Sequence, residues 1–174
     1  MLNTVHIIAG CPSTGKTLYR TTNKHLRTLP FIDIADLVKM GISETEKRYD
    51  VALSLLTNIS AFGISDEIVI EGVLYPGFET TKRLINHLRL LNPLVVINIS
   101  IIKPLSYKEF NMQLYKKVKN ETWRNKKQKE DFIKDTIYLY TLFEGQINAY
   151  RHLGFIDKTR KISNTVFNIL YLRM

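Results

Sequence analysis

The chain has 174 residues, 45% of them apolar, and a formal net charge of +9 at pH 7. This length predicts one compact domain over residues 1–174, with enough apolar residues to form a core without a disulfide or a metal staple. The single cysteine, Cys11, excludes an intramolecular disulfide, and no paired Cys/His spacing gives a structural zinc signature, so a reducing, cytoplasmic location is expected.

Membrane and secretory classes are also excluded at this level. The longest apolar stretch, from Leu94 to Ile102, is about half of the roughly 20 residues that a membrane helix requires. The N-terminus has no basic residue before its apolar run and leads directly into a glycine loop, unlike a signal peptide. We therefore expect no membrane partner, whereas the excess of positive charge indicates a polyanionic one.

Short runs rich in Ile and Val alternate with longer segments of helical period, the pattern of βα units. The predicted fold class is α/β: a doubly wound, mostly parallel five-stranded sheet flanked by helices. The predicted strands are Val5–Ala9, Pro30–Ile34, Glu67–Glu71, Leu94–Ile99 and Thr165–Leu172. The predicted helices lie near Lys16–Arg27, Glu44–Phe62, Glu79–Leu91, Tyr107–Lys119 and Glu130–Leu153.

Two local patterns support these helices. Ser43 with Glu46, and Ser106 with Glu109, have the spacing of a capping box, which satisfies free amides of a first helical turn. The last helix carries a stripe with a spacing of three to four residues, which predicts core packing. Its members are Phe132, Thr136, Tyr140, Phe143, Ile147 and Tyr150.

Residues 10–17 read GCPSTGKT and satisfy the phosphate-loop pattern G-x-x-x-x-G-K-[ST]. Glycines at positions 10 and 15 let backbone amides approach phosphate oxygens, and the loop ends at a predicted helix N-terminus, which favours an anion. Lys16 can bridge the outer phosphates of ATP, and the Thr17 hydroxyl can bind Mg²⁺. Cys11 is interpreted as a small filler, not a nucleophile, because no base is evident beside it. The predicted cofactor-binding residues are Gly10, Cys11, Pro12, Ser13, Thr14, Gly15, Lys16 and Thr17.

Other motifs separate the classes of protein that use this loop. A GTPase needs an NKxD element after a later strand, and the Asn-Lys pair Asn23–Lys24 falls in the first helix and is followed by Leu26 where the aspartate should stand. The other Asn-Lys pair, Asn125–Lys126, has Gln128 at that position. An ATP-driven machine usually has a strand that ends in paired acids. The strand Glu67–Glu71 ends in a single carboxylate, Glu71, which favours a kinase.

Carboxylates follow two predicted strands. In a parallel sheet, Glu71 would emerge beside the phosphate loop and could hold Mg²⁺ directly or through water, while Glu67 at the opposite end would be solvated. The strand Pro30–Ile34 delivers Asp33 and then Asp36 to the same edge. Asp36 can accept the proton of an incoming hydroxyl or can cap a short helix, and Asp33 is the weaker candidate for that base.

These residues resemble the small P-loop kinases, and among them the kinase domain of bacteriophage polynucleotide 5′-kinases. The loop that begins Gly10-Cys11-Pro12, and Asp36 followed by Lys39, are similar to that family's motifs. The resemblance implies that Asp36 activates the accepting hydroxyl, that Lys39 contacts the acceptor phosphate, and that Glu71 matches the acidic end of the third strand. It also implies that Arg124 is the lid arginine that surrounds the transferring phosphate. Lysine at position 39 departs from the family's arginine and cannot form the same two-pronged phosphate contact.

Positive charge is concentrated between residues 103 and 134, which hold ten Lys/Arg against four acidic residues. In a kinase this region would be a mobile basic lid, and Arg124 and Lys127 within it are candidate contacts to the phosphates and the substrate. A solvated helix face is the alternative for any single lysine. Trp123 and Tyr107 can stack on a base or anchor the lid to the core.

The sequence therefore predicts transfer of the γ-phosphoryl group of ATP·Mg²⁺ to a hydroxyl of a nucleic acid, at a 5′ end or a hydroxymethylated base. A nucleoside monophosphate is the alternative acceptor, and a nucleic-acid-binding ATPase without phosphotransfer is the alternative from another class. The histidines at 6, 25, 87 and 152 show no ligand spacing, which predicts structural roles.

Overall fold

A parallel β-sheet organises the fold. The computed structural model describes residues 1–37, 41, 44–73, 79–152, 160–162 and 165–172. Its strands are β1 (Thr4–Ala9), β2 (Phe31–Asp33), β3 (Glu67–Val73), β4 (Val96–Pro104), β5 (Arg160–Ile162) and β6 (Thr165–Leu172). Its helices are α1 (Lys16–Thr22), α2 (Thr45–Ala61), α3 (Glu79–Leu91), α4 (Tyr107–Asn120) and α5 (Lys126–His152), with a 3₁₀ turn at Leu26–Thr28.

The strand order is β2-β3-β1-β4-β6-β5. This confirms the predicted α/β class with a mostly parallel sheet flanked by helices, but the predicted number of five strands is wrong. Strands β1 to β4 form an all-parallel group of four, β6 pairs parallel with β4, and β5 pairs antiparallel with β6. With three residues, two of them basic, β5 lacks the apolar run by which strands are recognised in a sequence.

Two clusters of buried side chains cover the sheet. Since neighbouring residues of a strand point to opposite faces, Val5 and Ile7 of β1 join the large cluster while Ile8 joins the small one. The large cluster receives Leu56 of α2 and Phe110 of α4, among others. Strand β1 is thus buried between β3 and β4 and covered on both faces, as expected for a central parallel strand.

The helix predictions hold with local differences. Helix α1 ends at Thr22, before the predicted end, and the chain continues through the 3₁₀ turn. The serine half of the predicted capping box at Ser106 is confirmed, because its hydroxyl accepts a hydrogen bond from the Glu109 amide at 3.2 Å, whereas Glu109 Oε2 accepts from the Leu105 amide at 3.1 Å. Ser43 lies outside the described residues, and Glu44 is the N-cap of α2.

The predicted core stripe of α5 is confirmed where its side chains are described. Thr136, Tyr140, Phe143 and Ile147 are buried, and Phe132 packs against the same core. The side chain of Tyr150 lies outside the described part. None of the described helices combines the length and apolar character needed to cross a membrane.

At the amino ends of the strands, His6 and His25 contact Glu67, which corrects the expectation that Glu67 is solvated. His6 Nε2 and His25 Nε2 lie 2.6 Å and 2.9 Å from the same oxygen, Oε1 of Glu67. Glu67 is therefore half-buried between two imidazoles instead of being simply solvated. The spacing in the chain gave no sign of this cluster, because β1, the 3₁₀ turn and β3 bring the three residues together only in the fold.

Candidate active site

A cleft opens at the carboxyl ends of β1, β2 and β3. In the strand register, Ile8 of β1 and Asp33 of β2 each lie opposite Glu71 of β3. Because parallel strands end at one edge of the sheet, the loop after β1 meets the carboxylates of β2 and β3. The cleft has a volume of about 840 Å³, within the usual range of ligand sites. Its charged lining residues are Lys16, Asp33, Asp36, Arg48, Glu71, Lys117 and Glu121.

The loop between β1 and α1 has the backbone that its glycines predict. The φ angle is +147° at Gly10 and +92° at Gly15, where residues with a side chain are rarely found. Gly10 also has no room for a side chain, because a Cβ atom there would lie 2.7 Å from the Ile102 carbonyl oxygen. Thr14 Oγ1 donates to the Cys11 carbonyl oxygen at 2.8 Å. These constraints hold a tight turn whose amides can approach an anion.

Ser13 lines the cleft from this loop and has two unusual properties. Its φ of +66° is left-handed, although serine has a Cβ atom. Its Oγ is buried and has no hydrogen-bond partner within the described part of the chain. A buried hydroxyl without a partner costs roughly 1–3 kcal/mol. Strain and an unmet hydrogen bond at the cleft wall both indicate that the loop is built for a ligand.

The Lys16 ammonium lies against the loop that precedes it. Its Nζ donates to the carbonyl oxygens of Gly10 at 2.9 Å and Cys11 at 2.8 Å. Burial lowers the pKa of Lys16 from 10.5 to about 8, and the positive charge of Lys117 acts in the same direction. An ammonium has three donors, so one remains for a ligand while two hold the loop. At neutral pH the cleft therefore contains a partly desolvated cation.

Thr17 and Glu71 are brought together, as the sequence predicts for two metal-binding residues. The Thr17 hydroxyl donates to Glu71 Oε1. Glu71 is buried, and its other oxygen, Oε2, accepts a hydrogen bond from Arg20 Nε at 2.5 Å. The hydroxyl oxygen keeps lone pairs for a cation, and hard oxygen donors of this kind fit Mg²⁺. Since both Glu71 oxygens accept hydrogen bonds, this geometry favours contact with Mg²⁺ through water over direct binding.

Asp33 and Asp36 share the wall opposite the loop. Asp33 Oδ1 accepts hydrogen bonds from the amides of Ala35 at 2.9 Å and Asp36 at 3.4 Å, so it stabilises the turn after β2. Burial raises the pKa of the Asp33 carboxyl, and the negative charges of Glu71 and Asp36 act in the same direction. Asp36 is exposed at the mouth of the cleft. The two residues differ accordingly, because Asp33 is fixed by the backbone and partly buried whereas Asp36 is exposed.

The environment of Cys11 agrees with its interpretation as a filler. It is fully buried, and its Sγ donates to the Thr136 carbonyl oxygen at 3.6 Å. Burial raises the pKa of the thiol to about 12, although the nearby Lys16 ammonium acts in the opposite direction. The reactive thiolate is therefore scarce at neutral pH.

Other predicted contacts are not gathered at the cleft. Lys39 lies outside the described residues. Arg124 and Lys127 are exposed between α4 and α5 and at the start of α5, and neither belongs to the described lining. Trp123 anchors this connection, because its Nε1 donates to the Val118 carbonyl oxygen at 2.8 Å and its ring packs on Phe132. Closure of residues 103–134 as a lid stays a prediction.

Three functional candidates were missed in the sequence. Arg20 holds Glu71, while Lys117 and Arg48 line the cleft from α4 and α2. Arg20 lies one helical turn after Thr17, and this spacing is the only local signal that could have identified it. Lys117 belonged to a long run of lysines, and nothing in that run distinguishes the one that faces the cleft.

The remaining cations of the basic segment fall into two groups. Lys103 is buried in β4, where its Nζ lies 2.7 Å from Glu144 Oε2, so it is not part of an exposed lid surface. Eight others are exposed on α4, α5 and their connection: Lys108, Lys116, Lys119, Arg124, Lys126, Lys127, Lys129 and Lys134. The exposed cations give α4, α5 and their connection an excess of positive charge.

A comparison of the sequence with protein-family models and with curated proteins finds no match. The geometry and chemistry of the cleft itself are therefore the basis for assigning a function.

Proposed function

We propose that the protein is a doubly wound P-loop kinase that transfers the γ-phosphoryl group of ATP·Mg²⁺ to a hydroxyl of a nucleic acid. The observation that carries this proposal is the shared cleft. It joins a phosphate loop with its lysine, a Thr17–Glu71 pair suited to a cation, and two aspartates on the opposite wall. A reducing, cytoplasmic location agrees with an ATP-dependent reaction and a single buried thiol.

The donor half of the reaction is assigned to the loop and β3. The loop amides and the Lys16 ammonium would hold the polyphosphate of ATP, and Ser13 Oγ would gain the partner that it lacks. Thr17 would bind Mg²⁺, with Glu71 behind it through the hydroxyl hydrogen bond. When bound, Mg²⁺ supplies charge neutralisation on the phosphate oxygens.

The acceptor half is assigned to Asp36. The hydroxyl oxygen of the acceptor forms a bond to the γ-phosphorus, its proton passes to the Asp36 carboxylate, and the bond from the γ-phosphorus to the bridging oxygen breaks to leave ADP. Asp33 keeps the turn in place through the backbone amides of Ala35 and Asp36. Arg48 and Lys117 at the cleft wall provide positive charge for a phosphate of the acceptor or for the transferring group.

Nucleic acid is preferred as the acceptor because of the exposed cations on α4, α5 and their connection. A mononucleotide needs only a few cations, whereas a strand gains from many, since each neutralised phosphate releases counterions. The exposed aromatic rings of Tyr107, Tyr115 and Tyr138 lie on the same two helices and can stack on bases. One observation supports a nucleoside monophosphate, the alternative acceptor. Beyond the phosphate loop, Arg48 and Lys117 are the only cations in the described lining of the cleft, and a mononucleotide needs only a few.

The test follows the γ-phosphoryl group. The protein is incubated with γ-labelled ATP and, separately, with a 5′-hydroxyl oligonucleotide, hydroxymethylated DNA or nucleoside monophosphates. The proposal expects label on one of the nucleic acids, with binding of the strand weakening steeply as salt is added. Label on a mononucleotide alone would select the alternative acceptor. Label released only as free phosphate would contradict the kinase and favour the ATPase.

A further inference from the structure

We propose that His6, His25 and Glu67 form a binding site for one Zn²⁺ ion, separate from the cleft. Their three ligand atoms all lie within 4.8 Å of one another. Glu67 is the first residue of β3, and His6 lies in β1, whereas the cleft forms at the opposite, carboxyl ends of these strands. The inference goes beyond the proposed function, because neither phosphate binding nor phosphotransfer uses these residues.

The donor set fits zinc. Two imidazole nitrogens and one carboxylate oxygen are ligands that Zn²⁺ binds at about 2.0–2.2 Å, which in a tetrahedron separates donor atoms by roughly 3.3 Å. The present separations are 2.6 Å from Glu67 Oε1 to His6 Nε2 and 2.9 Å to His25 Nε2. Small side-chain rotations would therefore admit the ion. Mg²⁺ fits less well, because it prefers an octahedron of oxygen ligands.

Ring orientation and exposure favour an ion over a fixed hydrogen-bond network. Both rings direct Nε2 toward Glu67 Oε1, and their planes are inclined at 76° with centroids 5.8 Å apart, so the rings do not stack on each other. The His25 side chain is 59% exposed, against 17% for His6. This open side leaves a route for the ion and room for a water molecule as fourth ligand.

Binding would have a structural consequence. His25 immediately precedes the 3₁₀ turn Leu26–Thr28, which leads into β2. A bound ion would crosslink the segment between α1 and β2, through His25, to the two strands that carry His6 and Glu67, β1 and β3. Zinc should therefore raise the melting temperature of the whole chain, because a ligand that binds only the folded state stabilises it.

The experiment uses the full chain, freed of metal and nucleotide, and titrates Zn²⁺ against a chromophoric chelator while the melting temperature is recorded. We expect one tight ion per chain and a rise in melting temperature. His25→Gln and Glu67→Gln should each weaken binding by about 100-fold or more, since loss of even an outer-sphere partner costs roughly 10–100-fold. His87→Gln is the matched control, because His87 is a partly exposed histidine on α3 that contacts Thr57 instead of the cluster.

The outcomes separate clearly. X-ray absorption of the zinc-loaded chain should show two imidazole ligands. Failure of the wild-type chain to bind zinc would overturn the proposal. So would binding that survives both His25→Gln and Glu67→Gln, because the ion would then lie elsewhere, for example at the cleft carboxylates. His25 is mostly exposed, so its replacement leaves the core intact, and circular dichroism of the variant checks this directly.

Discussion

Thr17 at the start of α1 donates a hydrogen bond to the buried carboxylate of Glu71 at the end of β3. Arg20, one helical turn later, holds the second oxygen of the same carboxylate. Helix α1 is thereby fixed to β3 by two contacts, one from Thr17 at the end of the phosphate loop and one from Arg20 beyond it. The direction of the helix that follows the loop, and hence the position of the Thr17 hydroxyl, depends on one acidic residue.

Replacing Arg20 should test this connection through stability. Arg20→Met removes the only positive partner described for Glu71 and leaves a buried carboxylate, which typically costs about 3–5 kcal/mol. Arg83→Met is the control, because Arg83 forms exposed ion pairs with Glu46 and Asp50, worth about 0–1 kcal/mol. Urea unfolding measures both. Equal losses in the two variants would show that the Arg20–Glu71 pair does not hold α1 in place.

Gly72 is predicted to be essential to the position of Asp33. Its φ is +80°, and a Cβ atom there would lie 2.8 Å from Asp33 Oδ1 and 2.9 Å from the Ala35 amide nitrogen. Gly72→Ala should therefore lower the free energy of unfolding by about 1–3 kcal/mol through steric overlap, in addition to about 1–2 kcal/mol through backbone strain. Gly63→Ala is the matched control. The φ of Gly63 is +60° but the space around it is open, so this variant should be destabilised by backbone strain alone. Thermal unfolding should separate the variants, and equal destabilisation would contradict the crowding at Gly72.

The pH dependence of ATP binding should follow Lys16. Its pKa of about 8 means that the ammonium is present below pH 8 and is lost above it, so affinity for ATP should fall as pH rises through that value. The pH dependence of stability has the opposite sign. Between about pH 8 and 10.5 the unfolded chain binds more protons at Lys16 than the folded chain, so this group's contribution to the free energy of unfolding rises with pH.

Lys16→Arg is the control for that assignment, because a guanidinium stays charged across this range. Calorimetric titration of ATP into both proteins from pH 7 to 10 measures the effect. The descending limb should disappear in the variant, whatever its absolute affinity. A descending limb shared by both proteins would assign the titration to another group.

Cys11 should resist thiol reagents in the folded protein. It is fully buried and the pKa of its thiol is raised to about 12, so both access and thiolate are scarce at pH 7.5. Absorbance with a disulfide reagent should stay flat under native conditions and report one thiol per chain after denaturant is added. Rapid reaction of the native chain would contradict the burial, and slowing of that reaction by ATP would locate it at the phosphate loop.

The sequence predicts the cleft best where residues that act together are also close together along the chain. The phosphate loop needs its residues at fixed spacing within one turn, so Gly10, Gly15 and Lys16 identify it locally. Asp33 and Glu71 were predictable for a different reason, because apolar runs mark the strands and parallel strands end at a common edge. The core stripe of α5 follows from its period alone.

Features that depend on distant segments were not predictable in this way. His6, His25 and Glu67 are separated along the chain by 19 and 42 residues, and only the pairing of β1 with β3 and the position of the 3₁₀ turn bring them together. Lys117 has the same local sequence features as its exposed neighbours, and its role at the cleft depends on how α4 packs. Arg124 is the lid residue that the sequence favours, and it lies outside the described lining of the cleft.

The fate of the γ-phosphoryl group in wild type and in Asp36→Asn decides whether the protein is a kinase with Asp36 as its base. A single-turnover reaction with γ-labelled ATP and a 5′-hydroxyl oligonucleotide is followed beside a separate measurement of ATP binding. We expect wild type to yield labelled oligonucleotide. Asp36→Asn should lose phosphoryl transfer and still bind ATP, because the variant removes the base and leaves the phosphate loop unchanged. Near-normal transfer by Asp36→Asn would contradict the assigned base, and label found only as free phosphate with wild type would contradict the kinase.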